Sequence, residues 1–406
     1  MDCRLCAVPL THTFVDLGAS PLCESYLAAE QLDAPEMTYP LHVRTCTNCL
    51  LVQLPECVGA SDIFSDYAYF SSYSDSWVEH ARAFVDRMSD QLALGPESFV
   101  VEVASNDGYL LQHLVACGVP VLGVEPAANV AEVAQARGIP TEVAFLGADQ
   151  GARIARAHRP ADLVVANNVF AHVPDLLDFV QGLRAILADE GLLTLELPHL
   201  LRLIEGRQYD TIYHEHYSYF SLLTAMRALE TGGLKVTDVE QLPTHGGSLR
   251  VHARPTESTD KVAPAVAALL AVEQSVGLHS VSGHDGFAGA VLDVKRDLLR
   301  FLSDASRDGR RVAGYGAPGK GNTLLNHCGI KRDLLPYTVD RSPHKQGRFL
   351  PGSRIPIFPP DRLAQERPDF VLVLPWNLRE ELTEQLTYVR DWGGCLVFPI
   401  PTLEIA

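Results

Sequence analysis

The chain has 406 residues, which exceeds the roughly 100–200 residues of a typical single domain, so we expect two or three packed units. Hydrophobic residues make up 47% and charged residues 20%, a composition that excludes a disordered chain. Lys and Arg number 33 against 50 Asp and Glu, so the net charge of −17 repels phosphate backbones and anionic lipid surfaces. We therefore expect neither a nucleic-acid polymer nor a membrane as a partner.

The N-terminus, from Met1 to Cys6, lacks the basic segment and apolar run of a secretory signal. No apolar stretch approaches the roughly 18–20 residues needed to cross a bilayer, so a cytoplasmic location is the expectation. Nine cysteines in such a chain are poor disulfide candidates, because cytosolic thiol pools keep them reduced. An organised set among them is better interpreted as metal-binding or catalytic.

Four of the cysteines form two C-x2-C pairs, Cys3 with Cys6 and Cys46 with Cys49. Each pair can bind one edge of a cation, and two pairs complete the tetrahedron that Zn²⁺ prefers. Because four thiolates leave no open coordination position, the spacing predicts a structural zinc ion. A redox pair and a catalytic metal are the alternatives. We expect strands over 10–17 and 39–44 in the loop between the pairs.

Between residues 99 and 253, β-rich runs alternate with helical patterns, which is typical of an α/β domain with a largely parallel sheet. Two strands at the end of this region are expected to form an antiparallel pair at the sheet edge. The strands are predicted over 99–103, 121–124, 163–166, 192–197, 234–239 and 248–253, and the helices over 110–116, 130–137 and 176–187.

The first strand of this domain runs into a sharp turn, at the carboxyl end where open α/β sheets bind ligands. Glu125 ends the second strand, near the roughly 20-residue offset at which a carboxylate binds a ribose hydroxyl pair. The turn lacks G-x-G-x-x-G, so S-adenosylmethionine fits better than a dinucleotide, although a purely structural turn is the alternative. Asn167 and Asn168 either contact the methionyl part or cap the next helix. The candidate contacts in the turn are Glu102, Ala104, Asn106, Asp107 and Gly108.

Residues 209–220 crowd proton-transfer groups and aromatic rings into one segment, with Tyr213, His214, Glu215 and His216 at its centre. Two histidines flanking a carboxylate can supply a general base and the partner that tunes it, since imidazole titrates nearest neutral pH. The two imidazoles could instead bind a metal, although the segment has no H-E-x-x-H pattern. A solvated loop is the plainest alternative.

A second strand, glycine-rich turn and helix begin near residue 311. Gly316 lies in this turn, and Lys320 is placed to meet an anion at the helix N-terminus. Asp340 ends the next predicted strand, and Lys345 belongs to a small basic cluster that suits phosphate or a solvated loop. The pattern predicts a second nucleotide-binding half, or a decayed dinucleotide fold kept for packing. Before it, a helical region is expected over 262–306, interrupted near residues 282–283.

Together these segments resemble the bacterial nucleotide-sugar C-methyltransferases that build branched deoxysugars. The resemblance spans nearly the whole chain, and it implies an α/β protein with three consecutive parts. These are a zinc-binding subdomain over 1–60, a class I (Rossmann-like) S-adenosylmethionine-dependent methyltransferase domain over 61–255, and a C-terminal Rossmann-like domain over 256–406 that binds the sugar nucleotide. The segments that carry it are the two cysteine pairs and residues 67–72, 102–108, 167–174, 212–216, 244–247 and 314–317.

The resemblance implies methyl transfer from S-adenosylmethionine to a ring carbon, C3 or C5, beside the ketone of a nucleotide-linked 4-keto-deoxysugar. The nucleotide is usually thymidine diphosphate. Carbon is a poor nucleophile until the proton beside the carbonyl is removed, so such an enzyme needs a positioned base and donors for the enolate oxygen. The sulfonium methyl is already activated, so its transfer requires in-line positioning and no metal.

By the same resemblance His216 is the general base, with Tyr213 and Glu215 orienting the sugar or the base and with His172 and Tyr69 lining the pocket. Family members often carry Gly where this chain has Ala104. They often carry Asp where it has His214, which leaves open which histidine takes the proton. The expected substrate contacts are His214, His245, Gly316, Lys320 and Lys345.

Three other functions remain open at this point. A sugar O-methyltransferase needs a similar base, and an NAD-dependent nucleotide-sugar oxidoreductase would use the C-terminal glycine turn. A non-enzymatic zinc-knuckle adaptor is the third, although it leaves the chemistry of residues 213–217 unexplained. The sequence also leaves open the oligomeric state, a monomer included.

Overall fold

The computed structural model describes residues 1–59, 63 and 70–406. Contacts divide the chain into two compact units, each assembled from separate stretches of sequence. The chain therefore passes between the units several times. The first unit comprises Met1–Thr11, Cys46–His199 and Tyr217–Val281, and the second comprises His12–Thr45, Leu200–His216 and Ser282–Ala406.

The secondary structure elements are numbered in chain order. The strands are β1 His12–Ser20, β2 Tyr39–Thr45, β3 Val52–Gln53, β4 Val100–Val103, β5 Val121–Glu125, β6 Thr141–Val143, β7 Ala161–Asn167, β8 Leu187–Pro198, β9 Ser218–Tyr219, β10 Leu234–Leu242, β11 Ser248–Pro255, β12 Val312–Tyr315, β13 Thr338–Val339, β14 Ile357–Phe358, β15 Phe370–Val373, β16 Cys395–Phe398 and β17 Glu404–Ile405. The α-helices are α1 Asp75–Leu92, α2 Leu111–Ala116, α3 Ala128–Ala136, α4 Ala148–Ala157, α5 Leu176–Ile186, α6 Leu200–Glu205, α7 Leu222–Thr231, α8 Pro264–Ser275, α9 Phe287–Arg307, α10 Gly319–Cys328, α11 Asp361–Glu366 and α12 Arg379–Gln385.

The first unit contains a seven-stranded sheet, in the order β10-β11-β8-β7-β4-β5-β6 within the described ranges. Five neighbouring strands, β8, β7, β4, β5 and β6, are parallel to one another. β11 instead pairs antiparallel with both β8 and β10. All residues of the valine-rich β4 are buried, as expected for a strand covered on both faces. The predicted parallel α/β sheet with an antiparallel edge is confirmed.

Several elements of this unit were not expected from the sequence, namely the helices α1, α4 and α7 and the short strands β3, β6 and β9. Helix α1 begins after Ser74, whose hydroxyl accepts the Trp77 N–H, and ends at Ala93 in a left-handed conformation. Strand β6 has three residues, and α4 buries only Gly151 and Ile154, so neither produces a strong apolar period.

The second unit contains a six-stranded sheet, in the order β14-β13-β12-β15-β16-β17 where the structure describes it. Its neighbouring strands are parallel except for β17, which pairs antiparallel with β16. β1 and β2 form an antiparallel pair in the same unit, and Phe14 of β1 stacks on Phe287 of α9 with ring centroids 4.6 Å apart. The predicted interruption of the long helical region is confirmed, since Val281–His284 forms a short 3-10 turn before α9.

None of the helices within residues 1–59, 63 and 70–406 combines the length and the apolar character required to span a bilayer.

Candidate active site

The turn after β4 is held by a carboxylate from the end of β5. Oε2 of Glu125 accepts the Asn106 N–H and Oε1 accepts the Ala127 N–H, both at 2.9 Å. The turn is tight, because Ala104, Asn106 and Gly108 all have positive φ, between 50° and 79°. Burial raises the pKa of Glu125, although the two N–H donors oppose that shift. Each carboxylate oxygen keeps a second lone pair, so this side chain can also accept ribose hydroxyls.

The segment before α1 covers this turn. The Ser71 N–H donates to Oδ1 of Asn106 at 2.8 Å, and the Ser72 hydroxyl donates to the carboxylate of Asp107. Arg137 approaches the same carboxylate at 3.4 Å. These contacts hold the side chains of Asn106 and Asp107 in place. The turn would therefore present a fixed backbone to a bound ligand.

Glu102 lies in β4 with 1% of its surface exposed, and neither carboxyl oxygen has a hydrogen-bond partner in the part of the chain that the structure describes. Burial raises the pKa of Glu102 well above its usual range, and the nearby Glu125 and Asp107 add to the shift. An orphaned carboxyl beside the carboxyl edge of a parallel sheet fits a ligand with N–H or O–H donors, such as the amino group or ribose of S-adenosylmethionine.

At the end of β7, Asn167 holds a buried Oδ1 that has no hydrogen-bond partner within the described residues. Asn168 has φ 53°, and its N–H donates to the carbonyl of Glu196 at 2.7 Å. The following helix, α5, is capped by Asp175, whose side chain accepts the Asp178 N–H. The asparagine pair therefore does not cap that helix, and its contact with the methionyl part of the donor stays a prediction.

A buried charge cluster in the first unit was missed by the sequence analysis. Glu196 of β8 is 0% exposed, and its carboxylate is bonded to His80 at 2.8 Å and to Arg250 of β11. Burial by itself would raise the pKa of Glu196, but His80 and Arg250 hold it below its ordinary value. Trp77 stacks on His80 with centroids 4.9 Å apart and lies 5.0 Å from the His245 ring. The sequence does contain one indication of this cluster, namely a charged residue within each of two apolar strands. The two residues, Glu196 and Arg250, are cross-strand partners in the sheet.

Residues 209–216, which include Tyr213, His214, Glu215 and His216, lie in the second unit. Nδ1 of His216 is 2.8 Å from the carbonyl oxygen of Thr211, and its ring lies 4.0 Å from that of Tyr213. A carbonyl only accepts, so Nδ1 carries the hydrogen and Nε2 is the basic nitrogen of the neutral ring. His214 is 3% exposed, and its Nε2–H donates to the Tyr39 carbonyl at 3.2 Å. Burial lowers the pKa of His214, so this imidazole remains neutral near pH 7.

Glu215 also has a partner in its own unit, since the buried Cys23 thiol donates to Oε1 of Glu215 at 3.6 Å. Burial raises the pKa of Cys23 well above its usual range, and Glu215 and Glu24 reinforce the shift. Cys23 is therefore a neutral thiol and a poor nucleophile.

The C-terminal glycine turn follows β12. Gly316 has φ 86°, and a Cβ at this position would lie 2.5 Å from the ring of Pro375, so only glycine fits. Oδ2 of Asp340 accepts the Ala317 N–H at 2.6 Å. Nζ of Lys345 donates to the Ala317 carbonyl at 2.9 Å, so this lysine lies beside the turn, and its contact with the substrate stays a prediction.

Lys320 at the start of α10 lies near a second buried acid, Asp210, and Trp376 contacts both side chains. Its Nζ donates to Oδ1 of Asn377 at 2.8 Å and lies 4.9 Å from the centre of the Trp376 ring. The Trp376 indole N–H donates to Oδ2 of Asp210 at 2.6 Å. Burial raises the pKa of Asp210 to about 6, although Lys320 and Trp376 oppose the shift. Burial likewise lowers the pKa of Lys320.

The predicted site residues are thus divided between the two units. One predicted residue, Tyr69, lies outside the described residues. The first unit holds Glu102, Ala104, Asn106, Asp107, Gly108, Glu125, Asn167, Asn168, His172 and His245, and the second holds Tyr213, His214, Glu215, His216, Gly316, Lys320 and Lys345.

The two cysteine pairs meet in the first unit. The Sγ atoms of Cys3 and Cys49 are 3.4 Å apart and those of Cys6 and Cys46 are 3.5 Å apart, and all four lie within 4.8 Å of one another. Four thiolates around one zinc ion, at about 2.3 Å each, lie about 3.8 Å from one another, so the set fits a tetrahedral Zn²⁺ site. The Gln53 side-chain amide donates to Sγ of Cys3 at 3.1 Å, a contact that orients this ligand.

Comparison with known proteins agrees with this arrangement. The C-methyltransferase NovU of Streptomyces niveus is 38% identical over 400 residues, covering 98% of this chain and 95% of that protein. This chain belongs to the C-methyltransferases. Three family models match consecutive parts of this chain. They describe a zinc binding domain at 3–64, a methyltransferase domain at 76–239 and a C-methyltransferase C-terminal domain at 243–401.

Solved structures show more distant similarity to the C-methyltransferase. Magnesium protoporphyrin IX methyltransferase from Synechocystis, solved with bound S-adenosylmethionine, is 16% identical over 44% of this chain and 81% of its own, with a TM-score of 0.33. A methyltransferase from Thermotoga maritima is 19% identical over 46% of this chain and 95% of its own, also at 0.33. The predicted S-adenosylmethionine-dependent C-methyltransferase with an N-terminal zinc site is confirmed by the family.

Proposed function

We propose that this C-methyltransferase methylates a ring carbon, C3 or C5, beside the ketone of a nucleotide-linked 4-keto-deoxysugar, with thymidine diphosphate as the nucleotide. S-adenosylmethionine, when bound, supplies an activated methyl group. The observation that carries the proposal is the hydrogen bond from His216 to the Thr211 carbonyl, because it assigns Nε2 as the basic nitrogen. A base with a fixed tautomer is what removal of a proton beside a carbonyl requires.

The proposed reaction has two steps. Nε2 of His216 takes the proton from the carbon beside the ketone, and the electron pair of that C–H bond moves into an enolate. Bound S-adenosylmethionine would supply the methyl group for this carbon, with its methyl–sulfur bond breaking and S-adenosylhomocysteine as the leaving group. The proton remains on His216 until solvent takes it.

The neighbours of His216 have supporting roles in this proposal. The Tyr213 ring lies 4.0 Å from the imidazole, and its hydroxyl can donate to the developing enolate oxygen. Glu215 orients the sugar or the base, and His172 lines the pocket, as the family resemblance implies. Lys320, Lys345 and Gly316 contact the nucleotide diphosphate, and Glu102, Glu125 and the asparagine pair hold the methyl donor.

The test uses the zinc-loaded enzyme in deuterium oxide, with a thymidine-diphospho 4-keto-deoxysugar and NMR detection. With S-adenosylmethionine, we expect a new methyl resonance bonded to one ring carbon. Without the methyl donor, we expect exchange of deuterium into that same carbon. His216→Gln should abolish both signals while the dissociation constant for S-adenosylmethionine, measured by calorimetry, stays within about twofold.

The matched control is His158→Gln, which removes an imidazole with 37% of its side chain exposed in the first unit. This variant should keep wild-type exchange and transfer. A methyl group on oxygen would reject carbon methylation of this substrate, and undiminished exchange in His216→Gln would reject His216 as the base.

A further inference from the structure

Arg4 lies between two of the zinc ligands, Cys3 and Cys6, and its side chain reaches away from the cysteine cluster. Its Nη2 donates to the carbonyl of Leu54 at 2.6 Å. Its Nη1 donates to the carbonyl of Pro174 at 3.1 Å and lies 3.5 Å from that of Val173. One guanidinium therefore connects two loops that are more than 100 residues apart in the sequence.

The backbone of Arg4 is tied to the cluster by Gln53. The Arg4 N–H donates to Oε1 of Gln53 at 3.0 Å, while the side-chain nitrogen of the same amide donates to Sγ of Cys3 at 3.1 Å. Gln53 is 0% exposed, so both bonds are shielded from water. A shift of the Cys3 ligand would therefore be transmitted to Arg4 through two buried bonds.

The far side of the network is also connected. The Arg4 guanidinium lies over the Tyr217 ring, 5.3 Å from its centre. The Tyr217 N–H donates to the Ala171 carbonyl at 2.8 Å, and its carbonyl accepts the Leu54 N–H at 2.9 Å. Ala171 directly precedes His172, and Val173 directly follows it, so contacts on both sides of this histidine lead back to Arg4.

We propose that Arg4 is a positioning residue that couples occupancy of the four-cysteine zinc site to the placement of the His172 loop. Zinc fixes Cys3 and Cys6, and these fix the backbone of Arg4. The guanidinium then holds the carbonyls on the C-terminal side of His172. The catalytic consequence rests on the proposed role of His172, whereas the mechanical coupling does not.

The test compares hydrogen exchange in wild-type and Arg4→Ala proteins, each zinc-loaded and after chelation. In zinc-loaded Arg4→Ala, we expect a zinc content equal to wild type but faster exchange in peptides covering 169–176 and 52–58. In wild type, chelation of zinc should accelerate exchange in the same peptides. In Arg4→Ala, chelation should accelerate exchange less, because the variant already lacks the guanidinium that connects the two loops. With substrate present, kcat should fall by about 10–100-fold while the KM for S-adenosylmethionine changes little.

Two further variants keep the result interpretable. Arg4→Lys retains the charge but cannot span the two loops, so it should resemble Arg4→Ala in exchange even if the alanine variant folds poorly. Arg156→Ala, at an exposed arginine of α4, is the control and should match wild type. Unchanged exchange at 169–176 in both Arg4 variants, or chelation effects confined to 3–10 and 46–51, would overturn the coupling. Faster exchange without any methyl transfer to the sugar would contradict only the proposed substrate.

Discussion

His199 and Glu273 form a buried pair, with Nε2 of the histidine 2.8 Å from Oε1 of the carboxylate. The two side chains are 1% and 0% exposed. The same carboxylate accepts the N–H groups of Leu222 and Leu223 at the start of α7. Glu273 of α8 therefore satisfies the amino end of one helix and anchors the residue that follows β8.

Replacing Glu273 by alanine should lower the free energy of unfolding by about 3–5 kcal/mol, because it leaves the buried N–H groups of His199 and Leu222 without an acceptor. Glu273→Gln keeps one acceptor oxygen and should cost less. Urea unfolding of the full chain, followed by circular dichroism, measures both. The control is Glu230→Gln, at an exposed position of α7. An alanine variant as stable as this control would show that the donors find other partners.

Removing one zinc ligand should unfold the N-terminal part of the first unit. Cys46 is 0% exposed, and Cys46→Ser replaces a strong thiolate ligand with a weak one. We expect the zinc content to fall from about one per chain to near zero and the thermal midpoint to fall with it. Cys117→Ser, at an exposed cysteine outside the cluster, should change neither. Full zinc retention in Cys46→Ser would argue against the four-cysteine site.

Glu125→Gln should weaken binding of S-adenosylmethionine by about tenfold or more. The neutral amide retains one acceptor oxygen, so one of the two N–H donors, from Asn106 or Ala127, loses its carboxylate partner. Calorimetry with the methyl donor alone measures the change, without any sugar. Glu132→Gln, at an exposed position of α3, is the matched control. Equal affinity in the two variants would exclude Glu125 from the donor site.

The carboxyl of Asp210 predicts a pH effect on stability. Burial raises its pKa from 3.8 to about 6, so the folded protein binds this proton more tightly than the unfolded chain does. Its contribution favours folding at low pH and is lost as the pH rises from about 4 to about 6. Asp210→Asn cannot lose a proton, so the difference in thermal midpoint between the variant and wild type should grow in the variant's favour across this range. A constant difference would contradict the raised pKa.

Local patterns in the sequence were sufficient for the zinc site and for the tight turn after β4, whose contact with the methyl donor stays a prediction. The C-x2-C pairs specify their chemistry by spacing, and the valine-rich β4 followed by residues 104–108 specifies a strand and a tight turn at the ligand edge of a sheet. The positions of Glu102 and Glu125 could be predicted for the same reason. Glu102 lies within β4 and Glu125 ends β5, and both strands have a strong β pattern.

Contacts between distant residues could not be predicted in this way. The pair of His199 and Glu273 spans 74 residues, and the bond from Arg4 to Pro174 spans 170. Neither produces a period or a motif, since each partner alone looks like an ordinary polar residue. The His80 bond to Glu196 likewise depends on a helix that the sequence analysis did not find.

The interleaved course of the chain limits how the enzyme can be divided. Truncation after Val281 would delete most of the second unit but leave its stretches 12–45 and 200–216 attached to the first. Phe14 would then lose Phe287, its stacking partner, and expose apolar surface to water. A chimera of two related enzymes that exchanges one whole unit therefore requires a junction at each point where the chain passes between the units. We expect a chimera with a single junction to expose apolar surface and aggregate.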